Sequence, residues 1–255
     1  MVAAARKAGR GLIRDFGELE NLQVSRKGPS DFVSVADQRT ERILVAELSK
    51  ARPGYGFLLE EGGVIEGADK THRFIIDPLD GTTNFLHGIP QFAISIALER
   101  EGQLASGIVF NPVTDEMFMA ERGHGAYLNN HRLRVAARKN LTESVIATGT
   151  PFHGTEGHGQ FLVELKAMMN ASAGVRRFGA ATLDLAWTAA GRFDAYWERD
   201  LMPWDIAAGI LLMREAGGVV TDLEGAGRML ETGNLLAANE ALHRPLLDLL
   251  KAARE

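Results

Sequence analysis

The first residues of the chain repeat an apolar position every third or fourth place, at Ala5, Ala8, Leu12, Ile13 and Phe16, with basic residues between them. That spacing predicts a helix over residues 2–19 with a single apolar face. A second helix is expected over 37–51, because Asp37 is a suitable cap, Glu41 follows in the first turn, and Pro53-Gly54 stops it. The two should pair. The pattern then changes to short apolar runs bounded by turn residues, at 56–59, 73–76, 92–98, 104–110, 116–120 and 126–128, which read as strands. Between Phe92 and Tyr127 these runs follow one another across Gly-rich or Asn-Pro turns, which predicts an antiparallel meander. Farther on the periods mix, with strands expected at 145–147, 193–197 and 219–220 and helices at 160–169, 205–216 and 240–253. The expected class is α+β, with sheets covered by helices.

Composition changes this picture little. With 255 residues, 45% apolar and 24% charged, the chain can bury a substantial core. No linker composition divides it, so one domain over 1–255 is expected, with two lobes of about 1–140 and 141–255 left open as a subdivision. A net charge of −5 argues against direct nucleic-acid binding and leaves small ligands as partners. The short basic runs Arg6-Lys7, Arg132 to Arg134 and Arg176-Arg177 read as solvated faces. The absence of cysteine excludes disulfides, thiolate catalysis and cysteine-based zinc sites. The first ten residues lack the apolar core of a secretory signal, and apolar runs such as 210–213 are far too short to span a membrane. The expected compartment is the cytoplasm.

Candidate chemistry lies in the carboxylates. At residues 74–85 an apolar strand runs into two acids three places apart, Asp77 and Asp80, with Pro78 stiffening the turn and Gly81 permitting close backbone approach. The Leu79 carbonyl between them is a neutral oxygen. Oxygen-only ligation suits Mg²⁺, Mn²⁺ or Ca²⁺ and not zinc. Turn chemistry alone explains Asp-Pro-x-Asp-Gly equally well. Glu60-Glu61 closes the run 56–59, where adjacent acids repel unless a cation or open solvent relieves them. Asp205 stands where a helix is expected to begin, a position that also suits an ordinary N-cap. None of the seven histidines falls in an HExxH-like arrangement; His87 lies near the acidic turn, and His153 and His158 fall in a Gly-rich loop.

Taken together, Glu60-Glu61, Asp77-Pro-Leu-Asp-Gly-Thr-Thr-Asn-Phe85, Gly179-Ala-Ala after a basic strand, and Trp204-Asp-Ile-Ala-Ala-Gly209 resemble the inositol monophosphatase family in order and spacing over nearly the whole chain. The resemblance implies a layered α-β-α-β-α sandwich of the inositol monophosphatase and fructose bisphosphatase type. It implies Mg²⁺-dependent hydrolysis of small phosphomonoesters, myo-inositol 1-phosphate first, without a phosphoenzyme. Glu60, Asp77, the Leu79 carbonyl, Asp80 and Asp205 would hold up to three Mg²⁺, with Mn²⁺ as a substitute and Asp77 bridging two. Thr82 and Asp37 would orient the attacking water, with Glu60 contributing on the metal side. Asp80, Gly81, Thr82, Gly179, Ala180, Ala181, Glu198 and Asp205 would contact the substrate, the Gly81 and Thr82 amides cradling phosphate and Glu198 accepting from hydroxyls of the alcohol.

The family likeness further implies a homodimer, for which Trp187 and Phe193 are interface candidates, and sensitivity to lithium. Rival substrates within the class are fructose 1,6-bisphosphate, histidinol phosphate and a 3′-phosphonucleotide. A rival of another class is binding to the transcription machinery, which some bacterial relatives do.

Overall fold

The computed structural model describes residues 1–19, 24–26, 32–151 and 154–254. In chain order the elements are α1 (Val2–Phe16), β1 (Val24–Arg26), β2 (Phe32–Ser34), α2 (Val35–Ala51), β3 (Tyr55–Leu59), β4 (Gly63–Ile65), β5 (Asp69–Asp80), α3 (Thr82–Leu86) and β6 (Ala93–Arg100). There follow β7 (Gln103–Asn111), β8 (Glu116–Glu121), β9 (Gly125–Leu128), β10 (His131–Arg132), β11 (Val145–Thr148), α4 (His158–Ala171), β12 (Gly174–Arg176) and α5 (Ala181–Ala189). The chain closes with β13 (Ala195–Glu198), α6 (Pro203–Glu215), β14 (Val219–Thr221), α7 (Met229–Thr232), β15 (Leu235–Ala238) and α8 (Glu240–Ala252).

An eight-stranded sheet has the order β10-β9-β8-β7-β6-β5-β3-β4, and a five-stranded sheet the order β12-β11-β13-β15-β14. The expected meander is there: β5 to β10 are antiparallel neighbours in sequence order. Helices α1 and α2 cover the outer face of the large sheet, with Leu12, Leu44 and Leu48 packed on Phe74, Ile76 and Ile94. Helices α5 and α6 fill the space between the sheets, and α4 and α8 cover the small sheet from outside. This is the expected five-layer sandwich.

Several boundaries differ from the sequence reading, each for a local reason. Helix α1 ends at Phe16 rather than at residue 19. Helix α2 begins at Val35, not at Asp37: Ser34 is the cap, and Asp37 is the third helical residue, completing a capping box through its bond from the Ser34 amide. Asp205 is likewise the third residue of α6, behind Pro203, and accepts from the Met202 amide at 2.7 Å. His158 is the first residue of α4 rather than part of a loop, whereas His153 lies outside the described residues. Phe193 precedes β13 and is 6% exposed within the core between the sheets. Trp187 packs against it and Phe178, so core packing accounts for both of these aromatic residues.

Candidate active site

The expected acidic turn at 77–80 is in fact the last part of β5. Asp77 pairs with Ser95 and Asp80 with Ala93, and a bulge absorbs Pro78-Leu79 between them. Proline has no amide proton for the ladder, and the Leu79 amide turns back to Asp77 Oδ1 at 2.8 Å. The bulge thus keeps both acids at the end of a buried strand. Because β3 runs parallel to β5 with Leu59 opposite Ile76, the next residue, Glu60, arrives beside Asp77. Its amide bonds the Ile76 carbonyl at 3.2 Å, and its side chain hydrogen-bonds Asp77. The neighbouring acid is held elsewhere, since the Glu61 amide donates to Glu41 Oε2 at 2.9 Å.

Burial raises the pKa of Asp77 well above the usual carboxylate range, and Glu60, Asp80 and Asp205 push it further the same way. Asp205 is raised by burial, then by Asp80, Glu60 and Glu198. Asp80 is pushed by burial to about 6, even though it accepts from the hydroxyl and amide of Thr182 and from the amides of Ala181 and Gly81. Asp77 is buried, while Glu60, Asp80 and Asp205 keep a partly open face, so the group floors a cleft. Among the described residues no three His, Asp or Glu side chains are drawn together closely enough to hold an ion as they stand. The acids instead stand near enough to disfavour the charge of Asp77 and Asp205. An oxygen-only set with that property, together with the Leu79 carbonyl, fits a hard divalent cation.

Beside these acids, Thr82 Oγ1 lies 3.1 Å from Asp37 Oδ1 and 3.0 Å from the Leu79 carbonyl, with its proton available to either. Asp37 is fully buried, and burial raises its pKa against the opposing hydrogen bonds from Ser34 and Thr82. Gly81 has φ +87, and a Cβ there would meet the Gln91 carbonyl at 2.8 Å and Ala180 at 3.3 Å, so the two candidate substrate loops touch. Asn84 fastens them, donating to the carbonyls of Gln91 (2.8 Å) and Phe178 (2.7 Å). Ala180 and Ala181 are buried.

The other end of the cleft is Glu198, at the end of β13 in the small sheet. Burial lifts its pKa to about 7, moderated by a hydrogen bond from Tyr196 and raised again by Asp80. The structure adds residues that the sequence reading passed over: Thr182, which holds Asp80, and Tyr196, Gly149 and Asp184 around Glu198. Thr182 had a usable signal, standing directly after Gly179-Ala-Ala at a helix start. Tyr196 could have been found as the i−2 neighbour of Glu198 on one face of a strand.

Fold and cleft together define a layered α+β protein whose two sheets deliver carboxylates to one opening. A family model described as inositol monophosphatase family matches residues 1–255, and the chain belongs to that family. It is 60% identical over 251 residues to an inositol-1-monophosphatase of Rhizobium meliloti, covering 98% of this chain and 94% of that one. It is 45% identical over 248 residues to the Nus factor SuhB of Pseudomonas aeruginosa, covering 96% and 92%. The crystal structure of the extragenic suppressor protein suhB from Bartonella henselae superposes with a TM-score of 0.96 at 57% identity, covering 98% of this chain and 96% of that one.

Proposed function

We propose that the protein is a Mg²⁺-dependent phosphomonoesterase that hydrolyses myo-inositol 1-phosphate to inositol and phosphate, with water as the nucleophile. One observation carries the reading: Asp77, buried and repelled by Glu60, Asp80 and Asp205, stands next to the Thr82–Asp37 contact. Glu60, Asp77, the Leu79 carbonyl, Asp80 and Asp205 would hold up to three Mg²⁺, or Mn²⁺ in their place. When bound, such ions offset the phosphate charge and acidify water. Thr82 Oγ1, donating to Asp37 Oδ1, keeps its lone pairs for the attacking water and so orients it, and Glu60 is the acid on the metal side of that water. Phosphate meets the backbone at Gly81 and Thr82. Because the Gly81 amide already donates to Asp80, the Thr82 amide carries more of that contact. The alcohol lies against Gly179, Ala180, Ala181 and Glu198, with Asp80 and Asp205 facing the ester between the two ends.

The test is phosphate release from myo-inositol 1-phosphate with Mg²⁺, beside EDTA and Asp80→Asn controls, in a panel with fructose 1,6-bisphosphate, histidinol phosphate and a 3′-phosphonucleotide. Release that survives EDTA, or a clear preference for another ester, would sink it. Inhibition by millimolar lithium is expected in the same assay.

A homodimer is supported by Leu162 and Met169, which stand 60% and 61% exposed on α4, and light scattering reads it directly. No helix among the described residues is long and apolar enough to cross a membrane, and the proposed compartment is the cytoplasm. A second reading, binding to the transcription machinery in addition to catalysis, is favoured by the relative that is named a Nus factor. Capture of that machinery by Asp80→Asn protein would separate this role from hydrolysis.

A further inference from the structure

Behind Glu198, at the alcohol end of the cleft, stand two groups to which the proposed hydrolysis gives no role, Tyr196 and Gly149. Tyr196 is fully buried, and its hydroxyl donates to Glu198 Oε2 two residues along the same strand. On the other side, the Gly149 amide donates to the Glu198 carboxylate. No side chain fits at residue 149, because a Cβ there would fall 1.7 Å from Glu198 Oε1. Gly149 is itself fixed by Thr148, whose hydroxyl lies 2.8 Å from the Trp197 carbonyl and 3.0 Å from the Gly149 carbonyl. Two parallel strands, β11 and β13, thereby grip one carboxylate at their C-terminal ends. The amide can only donate and the phenol donates here, so Glu198 accepts from both. Glu198 stays partly exposed, and a carboxylate with two donors satisfied has lone pairs left to accept from hydroxyl groups.

We propose that Tyr196 and Gly149 form a clamp that aims Glu198 and thereby selects phosphate esters whose alcohol half is a polyol over esters that carry no further hydroxyl. This rests on the reading of Glu198 as the group that meets the alcohol. Both clamp residues act through Glu198 and are positioning residues. A fixed carboxylate discriminates because a substrate lacking the matching hydroxyl leaves it desolvated without a partner.

The test compares myo-inositol 1-phosphate with phenyl phosphate at saturating Mg²⁺, for the unaltered protein, Tyr196→Phe and Glu198→Gln. Tyr196→Phe should raise KM for the inositol ester about tenfold, the worth of one hydrogen bond to a charged group. Its kcat, and both constants for phenyl phosphate, should stay within about twofold. A merely structural role would lower both substrates together, and that result, or no change in either, overturns the clamp. If Glu198→Gln moves the ratio of the two substrates and Tyr196→Phe does not, the clamp fails and the alcohol-binding role of Glu198 stands. If Glu198→Gln leaves the ratio unmoved, that role fails and the clamp with it. Should Tyr196→Phe not fold, Thr148→Val, which releases Gly149 from its anchor without adding bulk beside Glu198, must show the same loss of preference for the inositol ester, and an unchanged ratio there overturns the proposal.

Discussion

The two ends of the cleft hold their carboxylates in opposite ways. At the large-sheet end, burial and then the neighbouring acids raise the pKa of Asp77 and of Asp205, and the strongest influences on Asp77 all act against its charge. At the small-sheet end, burial lifts Glu198 to about 7, but a phenol and an amide donate to it in favour of its charge, with Arg177 adding to them. The first arrangement is one that a cation from outside would relieve. At the second, the acid already has donors from the protein, although buried Asp184 beside it adds a like charge. On the proposed reading, chemistry switched on by an ion and recognition in place beforehand fall to different sheets.

The sharpest way to break this contrast is Asp77→Asn. Activity should fall by about 10³-fold, as for loss of a principal electrostatic group, while the metal-free protein should melt a few degrees higher because one repulsive charge is gone. A lower melting temperature would mean that the acids are not in conflict. Next in size is Thr82→Val, which removes the hydroxyl between Asp37 and the Leu79 carbonyl. Here kcat should drop about 10²-fold with little change in KM, and a pure KM effect would move Thr82 from water orientation to binding.

The small-sheet end makes a pH prediction. Burial holds Glu198 at about 7, with Tyr196, Asp80 and Arg177 beside it and Asp184 close by, and it accepts from hydroxyls fully only when ionised. The preference for myo-inositol 1-phosphate over phenyl phosphate should therefore grow about tenfold as pH rises through 7, and a flat ratio would detach Glu198 from selectivity. The smallest effect concerns stability. Asp80 binds its proton more tightly in the fold, at about 6, than at its ordinary value of 3.8. In EDTA the stability contributed by that proton is complete below the ordinary value and is lost as pH climbs to about 6, so the melting temperature should fall over that window by a few degrees. Mg²⁺ should flatten the slope.

How much of this was legible in the sequence follows from where each residue sits. Of the five proposed metal-facing groups, Glu60, Asp77 and Asp80 stood out because an apolar run leads into them, whereas the Leu79 carbonyl and Asp205, at a helix start, took their role from the family resemblance. The nine residues of α5 were missed because every one except Trp187 is buried. A helix enclosed between two sheets has no polar face and hence no amphipathic period to read. Strand β15 was missed for the matching reason: its four residues are all buried in the interior of the small sheet, so polarity does not alternate. The support of Glu198 was hidden differently. Tyr196 looks like any core aromatic until its hydroxyl is traced, and Gly149 matters only through the space that it leaves. Asp37 was placed beside Thr82 correctly but given the wrong place in its helix, since the cap belongs to Ser34.

Asp80 belongs by sequence to the large sheet, yet it rests on the first turn of α5, which packs against both sheets. One carboxylate thus stitches the two halves of the sandwich through a helix that neither half owns. If the proposed ion binds Asp80, adding it should tighten that seam as a unit, with the amides at the end of β5 and those of Ala181 and Thr182 losing solvent exchange in step, so that metal occupancy can be followed far from any substrate.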